Sequence, residues 1–199
     1  MSMKIQKYVA ELLGTFALTL VVAMSISSGL ALGTALAAGL TLGLFVYTVG
    51  GVSGAHLNPA VSIAMASVKK LSNKDAVGYV VFQVVGALLA MLVVENLTGN
   101  PVAVVAENTM TVGVAEAMGA FVLAFAVAAV TMKKVDGAAS GLVVGGSLSL
   151  GIMLAAGMSA GLLNPAIAVG LGAMSWMYML GPVVGGIVGA QVYNYLVSK

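Results

Sequence analysis

Two asparagines, Asn58 and Asn164, stand in otherwise apolar stretches, and each is followed by Pro and Ala. Asn is among the best helix N-cap residues, and Pro suits the first helical turn, where its missing N–H costs nothing. Asn58-Pro59-Ala60 and Asn164-Pro165-Ala166 therefore predict the starts of two short helices, roughly 59–68 and 165–173, each preceded by extended backbone. Carbonyls of such backbone in an apolar setting must be buried in protein or line water. A helix N-terminus carries about half a positive charge. Two such ends face to face would form a positive centre with two amide donors. A water there gives its lone pairs to the Asn groups and cannot relay protons, and cations are repelled.

Other reactive chemistry is sparse. His56 is the only His, and a metal site needs partners that are absent, so His56 reads as a loop-packing residue. There are no Cys residues, which excludes disulfides, thiol chemistry and Cys-based metal sites. No nucleophile–base or metal constellation is present, so neither an enzyme nor a cofactor is expected. Glu11 and Glu116 lie inside apolar runs, where an ionisable group is by default functional, although a structural role is favoured here.

The elements that must position these residues follow from composition. Of 199 residues, 61% are hydrophobic and 7% charged, with a mean hydropathy of +1.12. Soluble domains carry roughly a quarter charged residues, so the expected surrounding is a lipid bilayer. Apolar spans fall near 7–28, 33–51, 75–94, 112–132, 139–157 and 176–197. Each is close to the ~20 residues that cross a hydrocarbon core. Glycines four apart, such as Gly39 and Gly43 or Gly181, Gly185 and Gly189, predict close helix packing. Arg is absent, and the eight Lys sit at positions 4, 7, 69, 70, 74, 133, 134 and 199, all on one face if six helices span. Loops on the other face carry Glu95 and Glu107. The positive-inside rule then puts both termini in the cytoplasm of a cell-membrane protein. The net charge of +2 reflects this topology, and nucleic acid is not an expected partner. The first apolar run is too long for a signal peptide, includes Glu11 and lacks a convincing cleavage site.

Residues 52–68 and 158–173 are apolar but too short to cross, and each holds one Asn-Pro-Ala. They read as re-entrant segments entering from opposite faces and meeting near the midplane. The chain also repeats. Ala10-Glu11-Leu12-Leu13-Gly14-Thr15-Phe16 returns as Ala115-Glu116-Ala117-Met118-Gly119-Ala120-Phe121, 105 positions on. Leu57-Asn58-Pro59-Ala60 returns as Leu163-Asn164-Pro165-Ala166, 106 positions on. Each half holds three spans, an odd number, so the second is inverted relative to the first, an architecture known in membrane transport. The expected fold is an all-α membrane protein of six transmembrane helices plus two re-entrant half-helices, in two inverted repeats at 1–105 and 106–199.

The stretch Ser53-Gly54-Ala55-His56-Leu57-Asn58-Pro59-Ala60-Val61, the paired Glu-x-x-Gly-x-Phe motifs, Gln83-x-x-Gly86-Ala87 and Trp176-x-Tyr178-x-x-Gly181-Pro182 together resemble the aquaporin (major intrinsic protein) family over nearly the whole length. The resemblance implies a passive channel for water or small uncharged solutes and a homotetramer with one pore per subunit. It implies that Asn58 and Asn164 are midplane donors, and that the carbonyls of Gly54, Ala55, His56, Ala160, Gly161 and Leu162 form the pore's acceptor ladder. Glu11 and Glu116 look like the carboxylates that hold the re-entrant backbone. The outer filter departs from the family. Typical members carry Arg after the second Asn-Pro-Ala, where this chain has Ile167; the other filter positions are Ala38, Ile152 and Gly161. That inferred constriction has no charged or hydrogen-bonding side chain, matching neither water-selective nor glycerol-conducting members, which leads us to expect small neutral solutes or gases. A coupled secondary transporter shares inverted repeats but needs ionisable partners beyond the two Glu, and a non-conducting structural protein would need a pore closed by dewetting.

Overall fold

The computed structural model describes residues 5–29 and 33–198; Lys4 and Lys199 lie outside them. Among the described residues the chain forms eight α-helices: α1 Gln6–Ser28, α2 Thr34–Ser53, α3 Pro59–Ser67, α4 Asn73–Thr98, α5 Met110–Thr131, α6 Ser140–Ala155, α7 Pro165–Gly170 and α8 Trp176–Val197. A single 3-10 turn, Gly137–Ala139, leads into α6. Six of these described helices are long and apolar enough to cross a membrane, and α3 and α7 are the short ones.

The burial pattern is that of a chain solvated by lipid. Leu40, Leu44, Val77, Leu142, Val184 and Leu196 are exposed, whereas Glu11, Thr15, Gln83 and Glu116 are fully buried. In hydrocarbon the outward face gains nothing from being polar, and the interior must hold whatever polar groups the chain needs. Helices approach through small residues. A methyl added at Gly43 would stand 2.8 Å from the Gly141 carbonyl, and one at Gly181 would stand 2.7 Å from that of Gly113. Methyls at Gly39 and Gly145 would each strike the other residue's carbonyl. Backbones this close leave no room for a Cβ, which accounts for the glycine content.

Boundaries differ from the sequence expectation where local hydrogen bonds decide. α4 starts at Asn73 because the Ser72 hydroxyl accepts from the Asp75 N–H. It runs to Thr98, past Glu95, before Gly99 ends it at φ +68°. The second short helix stops at Gly170 and not near 173, since Gly172 turns the chain at φ +73° and the Ala173 N–H closes back on the Ala168 carbonyl. The loop before α5 then folds over this end, with the Val104 N–H donating to the Leu171 carbonyl.

Candidate functional site

The site begins with two strands of backbone, 54–57 and 160–163, that lead into α3 and α7 and make no regular ladder. Ala55 and Leu57 have φ of +49° and +51°, and Gly161 and Leu163 have φ of +62° and +52°. Left-handed backbone at residues with a Cβ costs of order 1–3 kcal/mol and persists only where the surroundings enforce it. Here the enforcing group is a buried carboxylate in each half. Glu11 accepts from the His56 N–H at 3.0 Å, the Leu57 N–H at 2.7 Å, the Ser53 hydroxyl at 2.6 Å and the Gln83 amide at 2.8 Å. Glu116 accepts from the Leu162 and Leu163 N–H groups and from the Ser159 hydroxyl. Glycines three residues after each Glu complete the cradle: a Cβ on Gly14 would collide with the Leu57 side chain, and one on Gly119 with that of Leu163.

Several of these supports were legible only in part. Ser53 and Ser159 each orient their own loop, donating to the carboxylate while accepting from Ala55 N–H and Gly161 N–H at 3.0 Å each. Tyr79 donates to the Ser53 carbonyl at 2.7 Å, and the Tyr178 hydroxyl accepts from the Ala160 N–H at 3.0 Å. Both pairs sit at matching places in the repeat, which is the signal that could have found them. Gln83 has no such counterpart, because Pro182 occupies the matching position.

The two asparagines close the site. Each caps its own helix, the Asn58 side-chain oxygen accepting from Ala60 N–H at 2.8 Å and that of Asn164 from Ala166 N–H at 3.0 Å. Each amide nitrogen reaches across to the opposite loop: Asn58 Nδ2 donates to the Leu163 carbonyl at 2.8 Å, and Asn164 Nδ2 to the Leu57 carbonyl at 2.9 Å. An amide carries two N–H donors. One is used in this crossed pair, and both Asn line a cavity where the other can be offered. Pro59, Ala60, Pro165 and Ala166 are buried behind them in the first turns of α3 and α7.

That cavity, about 350 Å³, begins at Gly33 and Thr34 and reaches His56. Ala38, Ile152, Gly161 and Ile167 all line it, as do His56, Ala160 and Leu162, whereas Gly54 and Ala55 do not. The remaining wall is mostly aliphatic, with Leu18, Leu42, Leu123 and Leu148 among the residues that sequence reasoning left unassigned. Leu18 and Leu123, and Leu42 and Leu148, are repeat-related pairs. His56 is buried with Nδ1 3.2 Å from Ser62 Oγ, which also accepts from Gln83 Nε2 at 2.9 Å. Ser62 thus ties the His56 ring to Gln83 within the buried network. Among the described residues no group of three metal-ligating side chains occurs. The arrangement can accept a small neutral molecule, offer it a few donors and acceptors at mid-depth, and perform no bond chemistry on it.

Known proteins share this chain's sequence pattern and fold. Aquaporin NIP1-1 of Arabidopsis thaliana is 33% identical, with 96% of this chain and 73% of the relative aligned. Glycerol uptake facilitator protein-like 6 of Lactiplantibacillus plantarum is 32% identical over 93% of this chain and 95% of its own. The structure of the aquaglyceroporin from Plasmodium falciparum superposes with a TM-score of 0.77 at 23% identity, covering 97% of this chain and 96% of that one, which is a likeness of fold. Residues 1–193 match the profile of the major intrinsic proteins. The chain therefore belongs to the major intrinsic protein family and is a passive membrane channel for water and small solutes, not an enzyme.

Proposed function

We propose that this channel passes small uncharged solutes of low polarity more readily than water, through a pore whose outer ring is Ala38, Ile152, Gly161 and Ile167. The observation that carries this reading is that all four residues line one cavity with Asn58 and Asn164, yet none of the four offers a side-chain hydrogen bond. A solute that sheds hydration at such a ring gets nothing in return until it reaches the amides and the carbonyls of the two loops. Donors at mid-depth then orient it, while the positive ends of the two short helices, Pro59–Ser67 and Pro165–Gly170, oppose cations. Glu11 and Glu116 act on the pore through the backbone they hold. Stopped-flow light scattering on proteoliposomes, comparing water, glycerol and urea, tests the reading. Ile167→Arg is expected to raise water selectivity and slow the larger solutes. Unchanged selectivity in that variant would reject the outer ring as a determinant.

The same reading places the two inverted halves at 1–105 and 106–199, both termini in the cytoplasm of the cell membrane, and four copies in the assembly. The one-sided Lys distribution supports the orientation. Exposed aliphatic faces on α2, α5 and α6 leave surface for neighbouring subunits, and native mass spectrometry in mild detergent checks the count.

A further inference from the structure

The cavity does not narrow to an end at the outer ring. It is lined on the mouth side of the ring by Gly33 and Thr34, and on the far side by Leu148, both Asn and His56, so one open space of about 350 Å³ passes through. A water's share of liquid volume is about 30 Å³, so this space corresponds to roughly ten waters. The lining stops beyond His56.

What lies past that point follows from the repeat. Gly39 and Gly145 face one another, and the α2–α6 contacts exchange under a shift of 106: Gly43 with Gly141 matches Ala35 with Ser149, whose hydroxyl donates to the Ala35 carbonyl at 2.9 Å. Applied to the outer ring, that shift pairs Ala38 with Val144, Ile152 with Val46, Gly161 with Ala55 and Ile167 with Val61. These positions continue the same walls. Val46 lies about one turn past Leu42 and two past Ala38 on α2, and Val144 about one turn before Leu148 and two before Ile152 on α6. Ala55 shares the left-handed conformation of Gly161, and Val61 sits in the first turn of α3 as Ile167 does in α7. The image ring is fuller. It has a side chain at all four places and a branched one at three, whereas the outer ring is bare at Gly161 and carries only a methyl at Ala38. Ala55, Val61 and Val144 are buried and line no part of the open cavity.

We propose that Val46, Ala55, Val61 and Val144 form the narrowest, solute-sizing passage of this pore, and that the outer ring is a wider apolar entrance that discriminates by polarity. The proposal rests on the channel reading. Because the natural chain has no Cys, single replacements report directly. A membrane-impermeant methanethiosulfonate applied from the Gly33–Thr34 side should label Ile152→Cys at least roughly tenfold faster than Val144→Cys or Val46→Cys, since passage through a tight apolar ring excludes the charged reagent. In parallel, Val144→Ala should raise solute flux several-fold in proteoliposomes and more than Ile152→Ala does, while Leu40→Ala on the exposed face of α2 should stay near the parent value. Equal labelling on both sides of His56, or a flux gain confined to the outer-ring variant, overturns the proposal while leaving the channel intact. Absence of flux in the parent and in every variant, with graded labelling, fails the channel reading and the proposal with it.

Discussion

At the scale of single residues, the polar interior divides into groups that are used and groups that are not. The Glu11 and Glu116 carboxylates are saturated by backbone and hydroxyl donors, which is how charged or polar groups survive in a lipid-facing bundle. Their position inside apolar runs was plain from the sequence, but the donors were not, because they come from residues 42 to 72 positions away from Glu11. Thr15 and Thr19 behave differently. Both are fully buried on α1, and neither hydroxyl has a partner among the described residues. Thr41, Thr48 and Thr98 instead bond the carbonyl one turn back on their own helices. A buried unpaired hydroxyl costs about 1–3 kcal/mol of desolvation, and removing it in favour of a group of the same shape recovers part of that. The second half carries Ala120 and Ala124 at the matching places, so this face accepts apolar side chains. Thr19→Val is therefore expected to stabilise the protein by about 1 kcal/mol. A thermal unfolding midpoint in detergent that falls in this variant would show that the hydroxyl has a partner in the folded protein.

At the scale of elements, hydropathy located all six crossing helices to within a few residues, since lipid demands a long apolar run whatever the tertiary contacts. The ends were less legible. Gly99 and Gly172 end segments through positive φ, and the Ser72 cap starts α4 two residues earlier, at Asn73, where the charged Lys74 and Asp75 had hidden it. The short helices were legible as starts, because Asn-Pro specifies a cap, and less so as stops. Glycine spacing foretold close packing without saying which glycine does it. Gly145 and Gly146 are adjacent in sequence, yet a methyl on Gly145 would run into the Gly39 carbonyl and one on Gly146 would meet nothing within 4 Å. Gly145→Ala must push α2 and α6 apart, and overpacking of this kind costs about 1–3 kcal/mol or more. Gly146→Ala should be neutral or mildly stabilising, because Ala reduces the freedom of the unfolded chain. Melting curves of the two variants side by side check the contrast, and similar losses in both would contradict the packing described for this helix pair.

At the scale of the whole molecule, the charge distribution and the pore make separate claims. Lys69, Lys70, Lys74, Lys133 and Lys134 are exposed on the structure, and Lys7 pairs with Asp75 at 2.8 Å. Single-Cys replacements at Lys69, Lys74 and Lys133 are expected to resist an impermeant reagent added outside intact cells, and efficient labelling at more than one of them would reverse the proposed orientation. Ion exclusion is the more demanding claim. The family resemblance implies two barriers against protons and cations, a filter charge and a midplane field; in the proposed reading Ile167 takes the place of the first and Asn58 and Asn164 supply the second. With four apolar side chains in the image ring and Ile152 and Ile167 in the outer one, an ion would have to shed its hydration where no group replaces it. The cavity on the mouth side of the image ring can stay hydrated without harm, because it ends before that ring. The expected outcome is exclusion of protons and cations with water flow below that of relatives carrying the Arg. A proteoliposome assay with a pH-sensitive dye under an imposed potential, run beside osmotic shrinkage, measures both. A fast proton leak with ordinary water permeability would show that the rings are wet and the midplane field alone does not suffice, and fast water flow without leak would show that apolar walls do not slow water here.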